Sequence, residues 1–331
     1  MEWTGLLFYL VGFLIAGGIY AILCLALNVQ WGMGGLFNAG IAGFFAVGAY
    51  ASAILTAPDV PSHVGGFGLP IPLGLAGAAL VSGFTGYLVA KICIRLKSDY
   101  LAMASIGIAE TLRLIIVNEQ WLTNGSLGIS KIPRPLDWLV SGRDSDFVLL
   151  GTVWLIVLGV YVFTERLYDS PWGRALRAIR DNEDSARAAG KDVDWFRLQT
   201  FVIGAAIMGV AGGLTAAQFR FLSPSATEPL VITFLVWVML MAGGSGNNRG
   251  AIAGALGIWA IWSMTEIVTN RLPPEWSTRS SYLRMLLVGL LLQVVLQRYR
   301  SGLVPERSPA MRIEKENGAG AQPGAESLSP R

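Results

Sequence analysis

Apolar runs set the terms for this chain. Nine of them, each near the length that crosses a hydrocarbon core, divide its 331 residues: Leu6–Leu27, Leu36–Leu55, Ile71–Ile94, Tyr100–Val117, Phe147–Phe163, Leu198–Ala217, Pro229–Ala242, Ala251–Val268 and Tyr282–Leu296. A spanning helix needs about 20 residues, with a lower limit of about 17, so the shorter runs leave their boundaries open by a few positions. Lipid offers no hydrogen bonds, so an apolar run in it must satisfy its own backbone, and helices do so. Charged residues make up 14% of the chain, against about 25% in soluble domains. The fold class that follows is an all-α, polytopic membrane protein with about nine transmembrane helices. No basic residue precedes the first run, which is long enough to span, so no cleavable signal peptide is expected.

Charge orients the spans. With the N-terminus outside, seventeen of the 25 Lys and Arg residues fall in inside loops and seven in outside loops, and Arg113 lies within a span. Nine spans, N-terminus outside and C-terminus cytoplasmic, therefore satisfy the positive-inside rule. Eight or ten would put the later basic loops on the wrong side. The net charge of +3 is spread over loops, so no nucleic-acid partner is expected. Residues 1–301 form one transmembrane domain. Residues 302–331, rich in Gly, Pro, Ser, Glu and Arg without apolar periodicity, read as a disordered cytoplasmic tail.

The segment 165–198, on the inside, is the most charged stretch between two spans. Within it Ser170-Pro171 is a helix start, since Ser can cap and Pro lacks an amide donor at a position that needs none. Leu176 and Ile179 share one face of this helix. Asp181 is a candidate cap for a second short helix that ends before Gly190. Arg177 with Asp181, Arg180 with Asp184 and Glu183 with Arg187 are spaced to pair on a helix. The segment reads as a docking surface.

Two features inside the spans carry more than one reading. Trp31 to Tyr50 holds Gly32, Gly34, Gly35, Gly40, Gly43 and Gly48 beside Asn28 and Asn38. Small residues permit close helix packing, and the same glycines permit a broken helix whose freed backbone lines a path. Glu110 and Arg113, three apart on one face, solve the problem of an intramembrane charge by pairing. The pair either faces a path or partner, or holds structure near the membrane edge. Asn28, Gly35, Asn38, Gly40, Glu110 and Arg113 are thus the candidate path residues.

Chemistry has little to work with. The one histidine, His63, makes no triad or metal cluster, and Cys24 and Cys93 both sit in apolar runs as packing residues. Gly243–Gly250, GGSGNNRG, lacks the Gly-Lys-Ser/Thr ending of a phosphate loop and reads as a tight turn. No catalytic residue, metal or cofactor is expected, and any ATP hydrolysis must occur on another polypeptide.

Five stretches together carry a resemblance: GLFNAGIAGFFAVGAY (35–50), RLKSDYLAMASIGIAETLRLI (95–115), LTNGSLGI (122–129), SPWGRALRAIRDNEDSARAAG (170–190) and GGSGNNRGAIAGALG (243–257). In this order they resemble the LivM-type permease subunits of branched-chain amino-acid ABC importers, from about Tyr20 to Pro305. The resemblance implies a bacterial plasma-membrane protein that forms a translocation path with a second, related permease subunit. It also implies two cytoplasmic ATPase subunits and an extracytoplasmic binding protein, which would dock outside, with 118–146 as its candidate site. The ATPase-coupling residues it implies are Arg177, Ala178, Arg180, Asp181, Glu183, Ala186 and Gly190. Many members have a histidine just after the glycine matched by Gly40, where this chain has Ile41. Members of this wider group also move urea, short amides or other amino acids, so the cargo stays open. A gradient-driven secondary transporter of small polar solutes is the alternative, though it has no need of a docking helix pair. A scaffold subunit without a path of its own is a third.

Overall fold

The computed structural model describes residues 2–59, 64–96, 98–137, 142–224, 229–269 and 302–306, with isolated positions between 286 and 298. It is an all-α bundle. In chain order the helices are α1 (Glu2–Leu27), α2 (Ile41–Thr56), α3 (Ile71–Cys93), α4 (Ser98–Asn118), α5 (Gln120–Thr123), α6 (Ser145–Asp169), α7 (Pro171–Asp181), α8 (Glu183–Ala188), α9 (Val193–Phe219), α10 (Pro229–Gly243) and α11 (Asn248–Thr269). Among the described residues five helical stretches are long and apolar enough to cross a membrane: Gly5–Met33, Ile71–Cys93, Asp99–Asn118, Ser145–Asp169 and Val193–Phe219. α2 and most of α10 are shorter apolar helices. The ninth expected span, Tyr282–Leu296, lies for the most part outside the described residues, as do His63 and residues 307–331.

α9 is the centre of one helix group and α1 of the other. α9 packs against α2 and α3, α1 packs against α6, α10 and α11, and the two centres pack on each other. Lipid gives apolar helices no hydrophobic reason to associate, so these contacts rest on close backbone approach and a few polar bridges. Gly48 of α2 lies on the backbone of Gly209, and Gly212 of α9 on the Phe45 carbonyl. The Ser82 hydroxyl sits between the carbonyls of Phe44 (3.0 Å) and Ala205 (2.7 Å), tying α3 to α2 and α9. Phe44 and Phe201 meet edge-on at 5.5 Å. Cys24 and Cys93 are buried, unbonded thiols. The outward faces stay apolar: Leu80, Phe84 and Ile92 on α3, Met103, Ile106 and Leu114 on α4, and Leu155 and Leu158 on α6 are exposed. Such a surface suits lipid or a membrane partner.

At one end the long connection between α4 and α6 is stapled down. Its strand β1 (Ile129–Ser130) pairs antiparallel with β2 (Phe221–Leu222), which follows α9. Arg134 bonds Asp146, the Ser145 hydroxyl at 2.9 Å and the Gln218 carbonyl at 3.2 Å, and Arg220 bonds Asp137.

Two sequence expectations are corrected here. The polar stretch after Leu27 does not end the first helix but widens it into a π-helical segment, Asn28–Met33. The second helix starts only at Ile41, not Leu36, because residues 34–40 run as irregular chain, held by scattered backbone bonds such as Leu36 N–H to the Gln30 carbonyl and by the Asn38 and Ser105 side chains rather than by a helical ladder.

Replacing Gly212 by Val drives a side chain into the Phe45 carbonyl and the Ala49 amide of α2. The expected result is a lower thermal midpoint in detergent, from overpacking of about 1–3 kcal/mol or more. Gly159→Ala, which meets nothing within 4 Å, should not lower it.

Candidate functional site

The site is built around the break between α1 and α2. A π-helical turn leaves backbone groups without regular partners, and π turns recur at functional positions. Here buried polar side chains meet the Ala39 and Gly40 amides of the loop and bridge the break to neighbouring elements. Asn28, Gln30 and Asn38 are each 0% exposed. Asn28 accepts from the Gly246 amide at 2.7 Å and donates to Asn248 Oδ1 at 2.8 Å, while Asn248 donates to Glu165 at 3.3 Å. Gln30 donates to the Phe201 carbonyl at 2.9 Å and accepts from Asn38 at 2.8 Å. Asn38 accepts from the Gly40 amide at 2.8 Å, and its carbonyl accepts from Trp237 Nε1 at 3.1 Å. The Ser105 hydroxyl accepts from the Ala39 amide at 2.9 Å. Trp31, Phe37 and Trp237 pack together over this loop, with Phe37 stacked on Trp237 at 4.3 Å.

Beside it lies the helix pair. α7 starts as its sequence requires, with Ser170 Oγ accepting from the Gly173 amide at 3.1 Å and Pro171 in the first turn. Leu176 and Ile179 are fully buried, and Gly190 closes the pair with φ +77°. The cap of α8 is Asn182 rather than Asp181, accepting from the Ser185 amide at 2.9 Å. Asp181 stays in the last turn of α7, whereas Asn182 has the extended backbone that a cap needs.

Of the three expected ion pairs, Glu183 with Arg187 forms at 2.9 Å. The other two arginines are drawn inward instead. Arg177 lies 3.8 Å over the Tyr168 ring and donates to the Tyr168 carbonyl at 2.8 Å. Arg180 binds Glu306 through Nη1 at 3.0 Å and Nη2 at 3.2 Å, donates to the Gly32 carbonyl and contacts Asp181 at 3.1 Å. Burial works against the Arg180 charge, but Glu306 and Asp181 outweigh it and hold its pKa above the usual value. Glu183 also accepts from Arg197 at 2.7 Å, and Asp194 pairs with Arg187 and Arg95, both at 3.2 Å. Trp172 Nε1 donates to Gln199 at 2.8 Å. The helix pair is thereby fixed to α6, α9 and the turn after α3.

These contacts sort the sequence candidates. Asn28, Gly35, Asn38 and Gly40 come together at the break, and Arg180 reaches them through Gly32. Glu110 and Arg113 lie apart, on α4, where both Glu110 oxygens accept from Arg113 Nε at 3.0 Å on the face that exposes Met103, Ile106 and Leu114. Along α7 and α8, Ala178, Asp181 and Gly190 are exposed, Arg177, Arg180 and Glu183 are half-buried, and Ala186 is buried against Ile179 and Val193. Arg174, Asp184, Ser185 and Arg187 join the exposed face. Gln30, Ser105, Glu165, Asn248 and Glu306 belong to the site but were not read from the sequence. A polar residue in an apolar run was a signal available for Ser105, and for Gln30 its place beside Asn28 in the polar stretch after Leu27. Glu306, in a segment read as tail, carried none. The turn 244–247 is no phosphate cradle, since its Gly246 amide is taken by Asn28. No cluster of metal-ligating side chains occurs among the described residues.

A family model described as "Branched-chain amino acid transport system / permease component" matches residues 9–296. The high-affinity branched-chain amino acid transport system permease protein LivM of Salmonella typhimurium is 32% identical over 327 residues, covering 92% of this chain and 72% of that protein. The probable branched-chain amino acid transport permease protein LivM of Methanocaldococcus jannaschii is 30% identical, covering 88% of this chain and 91% of that protein. The high-affinity permease protein LivH of Salmonella typhimurium is 23% identical over 284 residues, covering 83% and 90%. No solved structure matches.

Asn38→Ala removes the partner of both the Gln30 oxygen and the Gly40 amide in a site closed to water. The stability expected to be lost is about 1–3 kcal/mol per orphaned group, read as a lower thermal midpoint in nanodiscs. An unchanged midpoint would mean that the loop 34–40 is held by other contacts.

Proposed function

The chain belongs to the family of permease components of branched-chain amino acid transport systems, and from that premise we propose that it is a membrane-spanning permease subunit of an ATP-driven importer in a bacterial plasma membrane. It carries no catalytic chemistry of its own, and ATP hydrolysis belongs to two cytoplasmic ATPase subunits. A second permease completes the path, and the similarity to LivH as well as to LivM supports a partner of related sequence. Branched-chain amino acids are the cargo favoured by the names of the relatives. An extracytoplasmic binding protein delivers it to the end that carries the β1–β2 ribbon, with nine spans running from an outside N-terminus to a cytoplasmic C-terminus.

The observation that carries this reading is the α7–α8 pair. Its apolar face is buried and its charged residues are tied to α6, α9 and Glu306. What remains outward is a firm polar surface with Arg174, Ala178, Asp181, Asp184 and Arg187. A motor subunit needs such a surface, because force passes only through a contact that does not yield. At the break, the uncharged amides Asn28, Gln30 and Asn38 and the packed glycines suit the passage of a zwitterion, and the Arg180 charge that reaches the Gly32 carbonyl is neutralised by Glu306.

Reconstitution with the second permease, the ATPases and the binding protein tests the assignment. Asp181→Arg with Asp184→Arg should remove ATP-driven uptake while leaving the permease level in the membrane unchanged. Normal uptake in that double variant would take α7–α8 out of the ATPase contact. Leucine, isoleucine and valine should be taken up in preference to urea or short amides, and the reverse order would overturn the cargo.

A further inference from the structure

Residues 302–306 form a strap. The Leu303 and Val304 amides donate to the Ala242 and Gly243 carbonyls, both at 2.9 Å, and the Pro305 carbonyl accepts from Asn247 Nδ2 at 3.0 Å. This fixes the strap along the end of α10 and the turn 244–247. Glu306 closes it, with both carboxylate oxygens on the Arg180 guanidinium. The Glu306 stem lies on Gly246, where a Cβ would come within 2.7 Å of its carboxyl carbon. The Arg180 stem lies on Gly35, where a Cβ would come within 3.0 Å of Arg180 Cγ. Gly35 has φ +65°, so glycine suits it on backbone grounds as well. The side chains of Arg180 and Glu306 are 23% and 31% exposed, so the pair is shielded well beyond an ordinary surface ion pair.

Arg180 is therefore the meeting point of three elements that the chain keeps far apart: the docking helix α7, the π-helical segment through the Gly32 carbonyl, and the strap. A forked guanidinium is suited to this, because it can bind a carboxylate with two donors and still reach a third acceptor. We propose that Arg180 and Glu306 form a transmission link, which passes displacement of α7–α8 to the break between α1 and α2 and to the α10–α11 turn. Arg180 is then a positioning residue that acts inward, whereas the motor contact lies on Ala178 and the exposed charges. The inference rests on α7–α8 being the ATPase contact.

The test uses the full reconstituted complex and reads the coupling ratio, cargo moved per ATP hydrolysed, together with cross-linking from Ala178→Cys to the ATPase. Arg180→Ala and Glu306→Gln should each leave the cross-link in place while lowering the coupling ratio about tenfold, since a bond to a charged group is worth about a decade in an equilibrium. Arg180→Lys, which keeps charge but loses the fork, should fall between wild type and Arg180→Ala. The double variant Arg180→Ala/Glu306→Gln should be no worse than the worse single one, because the two residues act through one contact. A normal coupling ratio with the cross-link intact overturns the link alone, and so do fully additive single effects. Absence of the cross-link in an otherwise wild-type chain carrying Ala178→Cys overturns the docking contact and the link with it.

Discussion

Internal satisfaction of the backbone is the constraint on which this structure depends. In a bilayer no water stands ready for an unpaired amide or carbonyl, so any departure from the helical ladder must be matched by a protein group. Between Leu27 and Ile41 the chain makes such a departure, first by widening to a π turn and then by leaving the helix altogether. The Asn38 and Ser105 side chains take the Gly40 and Ala39 amides, Trp237 and Arg180 donate to the Asn38 and Gly32 backbone carbonyls, and Asn28 and Gln30 carry bonds outward to the α10–α11 turn and α9. The break is thus also the junction that registers both helix groups against each other.

Close approach of helices follows from the same environment. Without a hydrophobic force between α2, α3 and α9, attraction comes from dispersion, which falls off steeply with separation. Gly48, Gly209 and Gly212 let these backbones touch. The outward faces of α3, α4 and α6 remain apolar, and the Glu110–Arg113 pair on α4 neutralises its own charge where it meets that surface.

α7 and α8 join this interior to the aqueous side. Their charges divide by direction. Arg177, Arg180 and Glu183 bond inward, Glu183 to Arg197 of α9, while Asp181, Asp184 and Arg187 face outward, Asp181 still bonded to Arg180 and Arg187 to Glu183. A helix pair whose charges all faced water would dock but would be poorly anchored. One whose charges all turned inward would transmit but present nothing to a partner. For the function proposed above, this division serves both needs in one short segment.

Much of this was legible in the sequence because it depends on local rules. Apolar run length determined the all-α membrane class, and Ser170-Pro171, the Leu176/Ile179 spacing and Gly190 determined the helix pair to within a residue at its caps. Asn28 and Asn38 stood out as amides in apolar surroundings. What local spacing could not decide was the choice of partner. Arg180 lies four residues before Asp184 and 126 before Glu306, yet it bonds Glu306. The distant carboxylate is carried to it by a strap pinned to α10, which shields the pair from water and leaves the Gly32 carbonyl within reach. Likewise Asn28 meets Asn248, and Gln30 meets the Phe201 carbonyl, only once the helices have packed. Local sequence thus told which segments become helices, since propensity, capping and hydrophobic length act over a few residues, whereas the helix ends at Met33 and Ile41 were placed by packing. Which polar groups close each break and which arginines face inward was settled in three dimensions, since those choices depend on what packing brings within hydrogen-bond reach.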